Sequence, residues 1–256
     1  MSPFYGSDDV GLILLSGYDL RSNSLEMSEN KEAMLEETHV FGDSWVAQQP
    51  VDLRKGEWHV GGFYDDAAGK TAAALVSSGS TFAAGSTFVL TYGVEGNTIG
   101  KHFIGAAGVE GKVTRTPSRG VLTKINMDLG ITGQIDDGII LKAFGASTGS
   151  TGNTHASAID NSASSTKGGV AYYQLNALTL DTASSVTSWV RHSDDSTTWV
   201  DLTTFTGSTA PPFGEKITHA SNATVRRYLA AAWAYDDTAA NSSRLITSFV
   251  GFARNT

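Results

Sequence analysis

AYYQLNALTLDTASSVTSWVRHSDDSTTWVDLTTF, residues 171–205, is written in a period of two. Within it Ala171–Leu180, Ser188–His192 and Thr198–Phe205 alternate apolar and polar side chains, the spacing of strands with one buried face. The cluster Ser193-Asp194-Asp195-Ser196 joins two of them and is made of residues that favour turns. Arg227–Trp233 repeats the alternation further along the chain.

The N-terminal half carries shorter signals of the same kind. Val10–Leu15 reads as a buried strand, and Glu57–Phe63 and Phe88–Tyr92 are β-type runs bounded by glycine. Leu122–Leu129 alternates less cleanly. One helix is predicted over Asp65–Val76, DDAAGKTAAALV, which is Ala-rich and has its acids at the start, where they suit an N-terminus. Ser24–Glu37 has helical charge spacing but few large apolar side chains. It reads as an exposed loop, or as a helix that needs a partner. The fold class expected is mainly β with one short helix.

Composition narrows the function. The chain has 256 residues, 26 acidic against 18 basic, a formal charge of -8 and no cysteine. Disulfides, thiolate metal sites and a cysteine nucleophile are thereby excluded. An acidic balance, with pI near 5.1, argues against a surface built to grip nucleic acid, which wants clustered Lys and Arg. No apolar run approaches the ~20 residues of a membrane-spanning helix. The N-terminus lacks the basic region and long apolar run of a signal peptide, so a cytosolic origin is expected. On that expectation the sequons at Asn222 and Asn241 are chance matches.

Organisation along the chain predicts a division near Gly145–Gly169, GASTGSTGNTHASAIDNSASSTKGG. Ile159 is its one large apolar residue. Such a stretch buries little surface against an ordering cost of roughly 1–2 kcal/mol per residue, so a linker or long exposed loop is expected. The implied units are 1–145, a linker at 146–169, and a C-terminal β region at 170–256. Charge divides there too: residues 1–145 hold 18 acidic and 11 basic residues, residues 146–256 hold 8 and 7.

Candidate catalytic motifs fail on spacing. Gly69-Lys70-Thr71 suggests a phosphate loop, but the required glycine five positions earlier is Tyr64, and Asp65 and Asp66 would repel phosphate. The Asp-Asp pairs at 8–9, 65–66, 136–137, 194–195 and 236–237 supply neither the facing carboxylates of a glycosidase nor a calcium loop, and read as turn residues. The six histidines lack the close spacing of a metal site. No nucleophile elbow or zinc-protease motif occurs. No catalytic residue, cofactor or metal is expected. Of the tryptophans Trp45, Trp58, Trp189, Trp199 and Trp233, four lie in strand-like segments, where core packing is the expected role.

Residues 13–66, ILLSGYDLRSNSLEMSENKEAMLEETHVFGDSWVAQQPVDLRKGEWHVGGFYDD, resemble the N-terminal half of long-tailed bacteriophage major tail (tail tube) proteins. A short apolar strand precedes an acidic polar segment, then Thr38-His39-Val40-Phe41-Gly42-Asp43, then a strand ending Gly62-Phe63-Tyr64-Asp65. Ala67–Val76 falls where that family places its helix. Trp189–Leu202, with its S-D-D-x-x-T-W-x-D-L hairpin, is similar to the second halves of some phage tail and virion proteins, and to surface-displayed β-sandwich modules.

The resemblance implies a tail-tube-like β-sandwich or barrel followed by a second tube-like or decoration domain. It implies a virion subunit, made in the host cytoplasm, that assembles with itself and with other tail proteins. One tube fold per chain would give hexameric rings and a duplicated fold trimers, stacked around a lumen through which DNA passes without specific binding. The assembly residues expected are Glu26, Glu29, Glu32, Glu36, Glu37, Phe41, Trp58 and Phe63, with strand edges at Glu57–Phe63 and Leu122–Leu129. The alternative is a β-sandwich module that binds cell-surface glycans through Trp199.

Overall fold

The computed structural model describes residues 11–21, 24–38, 47–63, 87–118, 121–148, 151–179, 185–236 and 244–255. The described chain is mainly β, as expected. Its strands are β1 (Ile13–Leu15), β2 (Tyr18–Asp19), β3 (Ser24–Thr38), β4 (Ala47–Phe63), β5 (Thr87–Gly93), β6 (His102–Ser118), β7 (Val121–Ile131) and β8 (Asp136–Thr148). Then come β9 (Thr151–Asn153), a 3-10 turn at His155–Ser157, β10 (Ile159–Asp160), β11 (Gly169–Thr179), β12 (Val186–Ser193), β13 (Val200–Thr204), β14 (Phe213–Thr218), β15 (Tyr228–Tyr235) and β16 (Leu245–Arg254). The predicted helix at 65–76 lies outside the described residues.

The strands form two antiparallel sheets. The larger runs β14-β11-β16-β8-β6-β5-β1-β2, with β7 added to the far half of β6, then β4, then β3. The smaller runs β10-β15-β12-β13, with β9 also on β15. Period-two alternation gives each layer its face. In β12, Val186, Ser188, Val190 and His192 point inward while Thr187, Trp189 and Arg191 do not.

Three apolar clusters follow from this arrangement. The smaller sheet packs Val190, Leu229 and Trp233 against Ala171, Tyr173 and Val250 of the larger one. The β4–β7 layer folds over β1 and β5, burying Trp58, Val60, Met127 and Leu129 with Leu15, Phe88 and Leu90. Alternate residues of the same strands, among them Leu14, Val89, Phe103, Tyr172 and Phe249, make a third cluster inside the curl of the larger sheet.

That curl brings β1 and β2 against β11. Gly17 N donates to Gln174 Oε1 at 2.6 Å, Gln174 Nε2 to the Val89 carbonyl at 2.9 Å, and Asn176 Nδ2 to the Gly17 carbonyl at 2.8 Å. Side-chain amides thus join the two ends where no strand ladder does.

The structure differs from the sequence expectation in three places. Ser24–Glu37 is neither loop nor helix but most of β3, paired with β4 from Ser24↔Gly62 to Thr38↔Ala47. Its Glu spacing imitates a helix, whereas strand pairing runs through the main chain and tolerates charged side chains. The stretch 145–169 is not structureless. The end of β8, then β9 and β10, are paired strands, and Asp160 takes Arg227 through two 2.6 Å hydrogen bonds. Its small residues have a packing reason: a Cβ on Gly152 would sit 2.0 Å from the Trp233 ring. The larger sheet continues across the expected division, since β8 pairs with both β6 and β16.

Candidate functional site

The β3–β4 hairpin outruns the sheet that carries it. β7 supports β4 only from Glu57 to Phe63. Beyond that, Lys31–Thr38 pairs with Ala47–Gly56 and, among the described residues, with no third strand. Eight residues at about 3.3 Å each make a ribbon of roughly 25 Å. A two-stranded ribbon is marginal in water, and the outer edge of β3 has no ladder partner among the described residues. The ribbon is therefore a feature that a neighbouring surface would complete.

The expected assembly residues divide between the ribbon and the sheet. Glu32, Glu36 and Glu37 lie on the ribbon, across from Lys55, Gln49 and Gln48. Glu26 and Glu29 lie on the supported part, and strand alternation separates them. Glu26 is exposed and sits 3.6 Å from His59 Nε2, while His59 Nδ1 lies 2.7 Å from Asp128 Oδ1. Glu29 is half-buried and pairs with Trp58 on the opposite face. Its charge, with that of Asp137, adds to burial in raising the Tyr92 hydroxyl above its ordinary pKa.

Trp58 is fully buried, edge-on to Tyr92 at 6.1 Å, in the core beneath β4. Phe63 is half-buried at the end of β4, and Phe41 lies outside the described residues. The segments Glu57–Phe63 and Leu122–Leu129 are not sheet edges. The first lies between β3 and β7 and Lys124–Leu129 of the second between β4 and β6, so along this stretch the free edge among the described residues belongs to β3.

The tryptophans of the C-terminal half divide by layer. Trp233 is in the inter-sheet core. Trp189 and Trp199 are only partly covered. The Trp199 ring is stacked on His155 at 4.3 Å with 5° between planes, and the Arg191 guanidinium lies 5.5 Å from the Trp189 ring centre. Burial, assisted by Arg191, lowers the His155 pKa and favours the neutral ring in that stack. One face of Trp199 is therefore already taken.

Two buried polar groups escaped the sequence reading. Asp136 was expected in a turn, yet it opens β8 at 4% exposure, 2.8 Å from Lys216 Nζ and hydrogen-bonded by the Tyr172 hydroxyl. The reason is a partner far along the chain, which local sequence cannot reveal. Lys142 is buried in the inter-sheet core, with Nζ donating to the carbonyls of Ser248 at 2.8 Å and Gly145 at 3.2 Å. Asp195 does act as a turn residue. It accepts the main-chain N–H groups of Thr198 and Thr197 at 2.7 and 2.9 Å, which hold its carboxyl below the usual range. Among the described residues no group of three or more His, Asp or Glu is placed to hold a metal, and no helix is long and apolar enough to cross a membrane.

The class defined by these residues is an antiparallel mainly-β protein of two packed sheets with a projecting ribbon. No protein-family model and no curated protein matches the sequence. Among solved structures, the chain is similar to the Dit protein of phage SPP1, described as a paradigm of hub adsorption apparatus in Gram-positive infecting phages. Identity is 9% and the TM-score 0.33, over 95% of this chain and 98% of that one. Likeness at that level does not establish a shared fold.

Proposed function

We propose that this chain is a virion structural protein, the major tail tube subunit of a long-tailed bacteriophage. It assembles with itself into stacked rings, joins other tail proteins, and lines a channel through which DNA passes without specific binding. The reading is carried by one observation, the β3–β4 ribbon whose Lys31–Thr38 half, among the described residues, pairs with its own hairpin partner alone. The resemblance of residues 13–66 to tail tube proteins points the same way. In this reading the ribbon lies on an adjacent subunit, which covers the free edge of β3. A heterologous contact of that kind closes into a ring when the rotation between subunits permits. Acidic side chains facing the lumen would repel the DNA backbone and let it slide. No residue performs catalysis.

Negative-stain electron microscopy of the full chain at high concentration, with sedimentation on the same sample, tests this. Hollow rings or tubes of uniform diameter are expected. A single monomeric species at every concentration would overturn the reading.

A second reading, a module that binds cell-surface glycans, has the exposed side of Trp199 in its favour. The His155 stack restricts that ring to one face.

A further inference from the structure

A cleft of about 740 Å³ opens between the Asp136 end of β8, the Arg254 end of β16 and the short strand β10. Its size falls within the roughly 300–1,000 Å³ of small-molecule sites. Its apolar lining is half-buried Ile139 and Ile159 over a base of Leu141, Leu229 and Phe252, each at most 3% exposed. The last three belong to the inter-sheet core, so the floor is fixed by packing that the fold requires.

The lip is polar, and its donors are mostly committed to the protein's own backbone. Asn161 Nδ2 donates to the Arg227 carbonyl at 3.0 Å, Asn255 Nδ2 to the Lys167 carbonyl at 2.9 Å, and Arg254 Nη2 to the Ala163 carbonyl at 2.6 Å. Each amide keeps its carbonyl oxygen as an acceptor. The Asp137 carboxylate adds two more oxygens, of which one meets His102 Nδ1 at 3.1 Å. Behind the lip, Lys216 neutralises Asp136, and the lining itself holds one arginine, Arg254, beside the Asp137 carboxylate's negative charge. The cleft therefore combines acceptors, little net charge and an apolar base.

We propose that this cleft binds a saccharide. A sugar ring presents an apolar C–H face to such a floor and a rim of hydroxyl donors to Asp137, Asn161 and Asn255. A cationic ligand would meet Arg254, and an anionic one Asp137. The inference takes its ligand class from the glycan reading but moves the site from Trp199 to the cleft, and it is independent of ring assembly.

The test is titration of the full chain with chitotriose, maltotriose and mannotriose, followed by calorimetry and saturation-transfer NMR. At least one probe binds, with a Kd of about 1 mM or tighter. Asp137→Ala and Ile159→Trp each weaken that binding by about tenfold or more, whereas Trp199→Ala leaves it unchanged. Asp137 is 73% exposed, so its variant reports on binding even if Ile159→Trp fails to fold. No binding by any of the three probes overturns the proposal. So does binding that survives Asp137→Ala and every folded cleft variant. Binding lost in Trp199→Ala and kept in the cleft variants returns the saccharide to the indole and overturns the cleft, not the glycan reading.

Discussion

Gln174 accepts the main-chain N–H of Gly17 across 157 residues of sequence, at 2.6 Å and fully buried. The same amide donates to the Val89 carbonyl at 2.9 Å. One side chain therefore ties the β1–β2 turn and β5 to β11, on the side of the curl where no ladder closes it. Gly17 has φ of +88°, and a Cβ there would sit 2.2 Å from the Leu175 carbonyl oxygen. Glycine is required at this point both for its backbone conformation and for the close approach.

Replacing Gln174 by Leu keeps the volume but strands the Gly17 N–H in the interior. The expected loss is about 1–3 kcal/mol, the penalty for an unsatisfied buried donor. Gly17→Ala should destabilise further, because it adds a clash with main-chain atoms that cannot swing aside. Urea unfolding followed by tryptophan fluorescence gives both values. A Gln174→Leu variant as stable as the parent would show that the curl holds without the clasp.

Lys216 and Asp136 form a buried ion pair at 2.8 Å, and Tyr172 donates to the same carboxylate oxygen. Lys216→Met leaves Asp136 buried without its cation, for an expected loss of about 3–5 kcal/mol. Tyr172→Phe removes one charge-assisted hydrogen bond and should lose about 1.5–3 kcal/mol. The order of these two midpoints in denaturant is the check. If Tyr172→Phe proved the more damaging, the hydroxyl and not the ammonium would be what keeps Asp136 in place.

How much of this was legible in the sequence depends on where each residue's partner lies. β11, β12 and β13 could be read because their alternation is local, and the Asp195 turn because its carboxylate caps N–H groups two and three residues away. β3 was misread because Glu26, Glu29, Glu32 and Glu36 recur at helical intervals, while the pairing that makes them a strand depends on β4. β9 was misread because its small residues looked unable to bury surface, when Gly152 makes room for a distant tryptophan. The roles of Asp136 and Gln174, and the cleft lined by residues from His102 to Asn255, exist only once remote strands meet. No pattern within a window of sequence encodes them.

Lys142 offers a pH signature. Burial pulls its ammonium from the ordinary 10.5 down to about 8. Between those values the unfolded chain binds more proton than the folded one, so stability rises with pH through the window. The penalty is fully present below pH 8 and gone above 10.5. Lys142→Met carries no such group, so wild-type stability relative to the variant should rise by about 1–2 kcal/mol between pH 7.5 and 9.5. Tyr172 and Tyr173, both raised by burial, lower stability only above about pH 10 and cancel in the difference. Denaturant midpoints of the two proteins at five pH values suffice. A flat difference would mean that Lys142 keeps its ordinary pKa in the fold.

The ribbon separates folding from assembly. Glu36 and Glu37 stand across from Gln49 and Gln48, on a stretch that no third strand among the described residues touches. None of the three apolar clusters includes Glu36 or Glu37, so Glu36→Lys with Glu37→Lys should stay within about 0.5 kcal/mol of the parent's stability. Assembly should respond differently. Consecutive strand residues alternate faces, so a neighbour that receives the acidic strand would meet a charge of the wrong sign on whichever face it covers, and like charges brought together across an interface cost several kcal/mol. Sedimentation and negative-stain images of both proteins at equal concentration distinguish the two effects. Rings from the parent and monomers from a variant with the parental melting temperature place the ribbon in the subunit contact. Unchanged rings from the variant would leave the free edge of β3 covered by something other than an electrostatically complementary neighbour, and would remove these two glutamates from the assembly mechanism.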